Sequence, residues 1–162
     1  TPPHILYPPF YSANSPDVRH QGIHQYSKIL KTANDLHKSQ SWNLILEETE
    51  KALSIEKNHS QGWFLHAEGL RYNQKKEEAI SAYERALLLD LSRKRSRLEY
   101  TSATISFCKT NTCKSLSAHN ALKKEVLNKG FGLYDQRFGD HEHLTPDGCS
   151  WVAELFATLI TN

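Results

Sequence analysis

Asp140 and His143 stand three residues apart in Gly139-Asp140-His141-Glu142-His143-Leu144-Thr145-Pro146-Asp147-Gly148, directly ahead of an apolar C-terminal stretch. A carboxylate so placed can accept from one imidazole N–H, fix the tautomer and stabilise the imidazolium. Such a pair is an oriented general base, the orienting part of a serine-hydrolase triad. Two rival readings stand on the same residues. Asp140, His141, Glu142 and His143 could bind a divalent metal, with His141-x-His143 as a two-point ligand, but a third ligand from elsewhere is required and none stands out. Alternatively, Asp140 and His143 make a loop hydrogen bond with no catalytic part. His141 and Glu142 are expected to be exposed, and the other histidines are too scattered to form a site.

The pair must be held by the elements on either side. Residues 115–128 read as an amphipathic helix, with Leu116, Ala118, Leu122 and Val126 near one face and Gly130 as its stop. Residues 131–135, Phe-Gly-Leu-Tyr-Asp, read as a short strand. The final helix has clear punctuation: Thr145 can cap it, Pro146 suits its first position, and Asp147 complements the helix dipole. Trp151, Val152, Leu155, Phe156, Leu159 and Ile160 then recur at helical spacing and are expected to dock it. A helix feeding a short apolar strand points to the last unit of an α/β sheet.

In that setting the block resembles the last conserved block of SGNH (GDSL-type) hydrolases, which contributes both the acid and the base of the triad. The resemblance makes Asp140 the orienting acid and His143 the general base, with Leu144, Thr145, Pro146 and Gly148 matching the flanking pattern. It covers residues 115–162 at most. It implies an SGNH-like, flavodoxin-like α/β fold and hydrolysis of an ester, such as a lipid or an acetylated glycan, through a Ser acyl-enzyme. It also identifies what is missing. The family's Gly-Asp-Ser block and Gly-x-Asn-Asp block are absent here, and none of the seven glycines precedes such a pattern. Thr145 and Ser150, the hydroxyls near the motif, lie in a helix start with no elbow around them. The nucleophile is therefore expected from an N-terminal half outside this sequence, and the chain alone is expected to be inactive.

Upstream, residues 24–93 are helical and repeat. Laying 26–59 over 60–93 gives a period of 34 residues that places Ala33 on Ala67, Leu36 on Leu70, Ala52 on Ala86, Leu53 on Leu87 and Glu56 on Asp90. With Trp63, Ala67, Ala79, Tyr83 and Ala86 in the second copy, the segment resembles two tetratricopeptide repeats. Small residues let paired helices approach, and Trp63 and Tyr83 are expected to fill the space between repeats. Leu91 and Thr49 depart from the pattern, standing where the family usually has Pro and an aromatic. Two repeats bury little alone, so the pair is expected to lean on the rest of the protein. The resemblance implies a groove for a protein or peptide partner.

The totals bound the remaining possibilities. Twenty basic against eighteen acidic residues give a net charge of +2, too small to argue for nucleic acid. The basic run Arg93-Lys94-Arg95-Ser96-Arg97 reads as a solvated helix end. No apolar run is long enough to span a bilayer, and no signal peptide is visible. Three cysteines leave Cys149 without a mate. Cys108 and Cys113 could bridge, but unpaired thiols are the expectation. The start, Thr1-Pro2-Pro3-His4, and the lack of any Met suggest a processed product or fragment.

Three segments are expected: a Pro-rich extended 1–23, two helical repeats over 24–93, and an SGNH-like helix–strand–helix portion over 94–162. No cofactor or metal is called for, and the compartment stays open. The alternative function is a non-catalytic interaction module.

Overall fold

The computed structural model describes residues 4–9, 12–13, 20–92, 98–140 and 143–161. The basic run Arg93–Arg97 and the pair His141 and Glu142 lie outside them. The described residues form eight helices: α1 (His20–Lys38), α2 (Trp42–Ile55), α3 (Ser60–Tyr72), α4 (Lys76–Leu89), α5 (Leu98–Thr110), α6 (Ala118–Lys129), α7 (Gly132–Arg137) and α8 (Pro146–Thr161). They divide into two compact units, Pro8–Ser92 and Thr1–Tyr7 with Arg93–Asn162. The first unit interrupts the second in sequence.

In the Pro8–Ser92 unit, α1–α2 and α3–α4 are two helical hairpins, and their equivalence extends beyond the apolar pattern. Gln40 and Gln74, one period apart, both occupy the left-handed region, at φ 58° and 64°. After each, the chain closes the helix end in the same way. Ser41 N–H donates to Leu36 O at 2.9 Å and Lys75 N–H to Leu70 O at 3.0 Å, the outer bond of a Schellman motif. Glu56 and Asp90 are also matched. Both are buried, and each accepts a backbone N–H two residues on, from Asn58 at 2.8 Å and from Ser92 at 3.0 Å. A buried carboxylate is tolerated when its oxygens are satisfied in this way.

Packing follows from small residues. Ala33, Ala52, Ala67 and Ala79 are fully buried, and Ala86 nearly so. At Gly69 a Cβ would meet the Leu46 side chain at 2.8 Å, so glycine lets α2 and α3 approach here without displacing that leucine. Thr49, standing where an aromatic was expected, is fully buried; its hydroxyl donates to Ile45 O at 2.7 Å and bonds to His66 Nδ1 at 2.9 Å. That hydrogen bond joins the hairpins where ring packing is absent. Tyr83 is buried as expected, its hydroxyl donating to Glu68. Trp63 differs from expectation. Its ring is only half-buried, and its indole N–H donates to Lys57 O at 2.7 Å.

The second unit corrects the α/β expectation. No strand occurs among the described residues, whose one β pairing is the isolated antiparallel bridge between Phe138 and Leu144. An SGNH hydrolase is built on a sheet, so the resemblance and the fold that it implied are overturned. The 131–135 segment is the N-cap and start of α7, Phe131 standing just before its first residue, Gly132. Phe131, Tyr134 and Phe138, spaced three and four apart, are 8%, 0% and 3% exposed, which is a helical face rather than an alternating one. Without a neighbouring strand to pair with, a short extended segment would also leave its amides unsatisfied.

Residues 98–115, polar and rich in Ser and Thr, contain α5. Its hydroxyls bond back onto the helix: Ser102 to Leu98 O at 3.1 Å, Thr104 to Tyr100 O at 2.8 Å and Thr110 to Ser106 O at 3.1 Å. Such back-bonding lets Ser and Thr sit inside a helix they would otherwise weaken. Cys108 and Cys113 form a disulfide at its end, against the expectation of free thiols, while Cys149 is free and exposed. On α8 only Trp151 of the predicted apolar face is buried; Phe156 and Ile160 are 51% and 80% exposed. No helix of the described residues is long and apolar enough to cross a membrane.

Candidate active site

The loop from α7 to α8 is built by short-range hydrogen bonds. Gly139 N–H donates to His143 O at 2.9 Å and Thr145 N–H to Arg137 O at 3.0 Å, flanking the Phe138–Leu144 bridge. Thr145 Oγ1 donates to Gln136 O at 2.6 Å and accepts from Gly148 N–H at 3.0 Å. The second of these is the predicted cap of α8, and the first ties it back to α7. Gly148 seals the joint. A Cβ there would run into the Arg137 carbonyl, so the start of α8 can sit on the end of α7 only with glycine at this position.

Within that loop the predicted pair meets. His143 Nδ1 lies 2.9 Å from Asp140 Oδ1 and 2.8 Å from Oδ2, and His143 N–H donates to Oδ1 at 2.8 Å. A carboxylate at Nδ1 selects the tautomer with hydrogen there, which places the basic lone pair on Nε2. The side chains are 75% and 44% exposed. In so open a setting the charge attraction alone contributes little; the backbone contact and the tautomer choice matter more. Thr145 and Ser150 are both engaged locally, Thr145 as the cap and Ser150 through its hydroxyl to Pro146 O at 3.0 Å. Among the described residues no cluster of three or more His, Cys, Asp or Glu is arranged to hold a metal ion.

Beneath the loop lies a network that sequence spacing did not reveal. Glu125 on α6 accepts from Arg137 Nη2 at 2.7 Å and from Trp151 Nε1 at 2.8 Å, and the Arg137 guanidinium stacks 4.1 Å from the Trp151 ring centroid. One carboxylate therefore joins α6, α7 and α8, the helices on both sides of the pair. Partial burial pushes the Glu125 carboxyl up, but the hydrogen bonds from Arg137 and Trp151 prevail and hold it below its ordinary value. His4 is a core residue of this unit. It is 2% exposed, with ring centroids 4.9 Å from Phe138 and 5.4 Å from Tyr134. Its Nδ1 accepts from Leu6 N–H at 3.3 Å. His4 thus backs the residue that opens the loop.

Comparison with family models, with curated proteins and with solved structures finds no match to the chain.

Proposed function

We propose that Asp140 and His143 are the orienting acid and general base of an ester-hydrolysing site, whose Ser nucleophile comes from protein outside the described residues. His143 Nε2 takes the Ser proton as Oγ bonds to the ester carbonyl, and returns it to the departing alcohol. Water then attacks the acyl-enzyme by the same proton route. The observation that carries the reading is the contact of His143 Nδ1 with both Asp140 oxygens inside a loop closed at Gly139, Thr145 and Gly148. Hydrolysis of p-nitrophenyl acetate by the full-length protein tests it. His143→Ala should lower kcat by about 100-fold or more, and Asp140→Asn should lower it less. Full turnover by His143→Ala would remove the assignment.

A second reading is that the two hairpins form an interaction module of tetratricopeptide type. It is favoured by the open groove between α3 and α4, lined by Trp63, Leu70 and Ala82 with carboxylates on its rim. Binding of a labelled peptide to that groove, abolished by substitutions within it, is the corresponding test.

A further inference from the structure

We infer that the groove between α3 and α4 takes a short peptide segment that pairs an apolar side chain with a Lys or Arg; the inference rests on the interaction reading of the repeat unit. The groove has a volume of about 670 Å³, and its floor is apolar: Trp63 and Leu70 from α3 and Ala82 from α4. Trp63 is held in place by its bond to Lys57 O at 2.7 Å and by His66, edge-on with ring centroids 6.0 Å apart. A fixed indole face of this kind suits both an alkyl chain and a cation.

The rim decides the charge of the occupant. Glu77 and Glu78, both exposed, line the groove from the first turn of α4. Two cations stand beside them, Arg85 in the lining itself and Lys75 next to Glu78. Arg85 is tethered to Asn58 Oδ1 at 3.0 Å. Lys75 lies 3.8 Å from Glu78 in a pair whose side chains are 52% and 62% exposed. An exposed pair of that kind is weak, and a ligand ammonium or guanidinium can displace it. Two exposed carboxylates beside an apolar floor with a fixed indole, set against one tethered guanidinium, match a basic–apolar segment better than an acidic one.

The test is fluorescence anisotropy with the full chain, using fluorescein-labelled Lys-Leu-Lys-Leu-Lys and Glu-Leu-Glu-Leu-Glu peptides at low salt. The basic peptide should bind, weaken as salt rises, and lose about tenfold in affinity when Glu77→Lys and Glu78→Lys are combined. Both positions are exposed, so that variant should keep its helical circular dichroism. Equal binding of the acidic peptide at the same groove, lost with Trp63→Ala, would overturn the charge inference and leave the interaction reading standing. Binding of neither peptide would overturn both. Basic-peptide binding that ignores the double substitution would place the contact elsewhere and overturn the inference.

Discussion

Gly148 packs its Cα against the carbonyl of Arg137, at the point where α8 leaves the end of α7. Any side chain there collides with backbone rather than with a flexible tip. Gly148→Ala should therefore destabilise the second unit by about 1–3 kcal/mol, the usual range for overpacking. Urea unfolding should show a lower midpoint at unchanged slope. Wild-type stability in Gly148→Ala would mean that the joint gives more easily than its geometry implies.

Gln40 and Gln74 supply the left-handed residue that ends the first helix of each hairpin. A side chain at positive φ costs about 1–2 kcal/mol, of which glycine returns part to chain entropy. Gln74→Gly should raise stability by up to about 1 kcal/mol, and Gln40→Gly should do the same independently. Thermal melts of the two single variants and of the double variant check this, with additive gains expected for separate sites.

Acidification should weaken the repeat unit. Burial depresses the His66 imidazole below its ordinary value, against the opposing pull of Glu50 and Glu78, and burial depresses His59 against Glu56. A histidine kept neutral in the fold contributes stability that is full above its unfolded pKa of about 6.5. That contribution is lost as the pH falls through 6.5 towards the lower folded value. Glu125, also held low, adds a loss in the second unit at more acidic pH. The melting temperature should drop between pH 7.5 and 5.5, and His66→Gln should lessen the drop. A rise over that range would contradict the assignment.

The Cys108–Cys113 disulfide closes a small loop at the end of α5. Chain-entropy arguments give such a loop about 2 kcal/mol. Alkylation under denaturing conditions should modify Cys149 alone before reduction, and all three cysteines after it. Reduction should also raise amide exchange in the last turn of α5. Three reactive thiols before reduction would exclude the bridge.

The repeat was legible because its signal is periodic: alanines and acids 34 residues apart report close packing and equivalent helix ends. The cap at Thr145 was legible because capping is local. The 131–135 segment misled because its three apolar residues suit a strand when read alone. Phe138, which completes the helical spacing, lies beyond that window. The Ser- and Thr-rich α5 hid its helix because its hydroxyls are satisfied by the helix itself. Glu125, Arg137 and Trp151 could not be found by spacing at all. They lie on three helices, and only folding brings them together. The disulfide was missed because a separation of five positions between thiols decides nothing until a helix end turns one towards the other. The Asp140–His143 contact was readable from three-residue spacing, whereas the surrounding fold was not.

Steady-state hydrolysis of p-nitrophenyl acetate by the full-length protein is the most direct test of the Asp140–His143 pair. It is measured for wild type and for His143→Ala, with matched circular dichroism spectra. A fall in kcat of about 100-fold or more is predicted, with a smaller fall for Asp140→Asn. Unchanged turnover in folded His143→Ala protein would contradict the catalytic role of the pair.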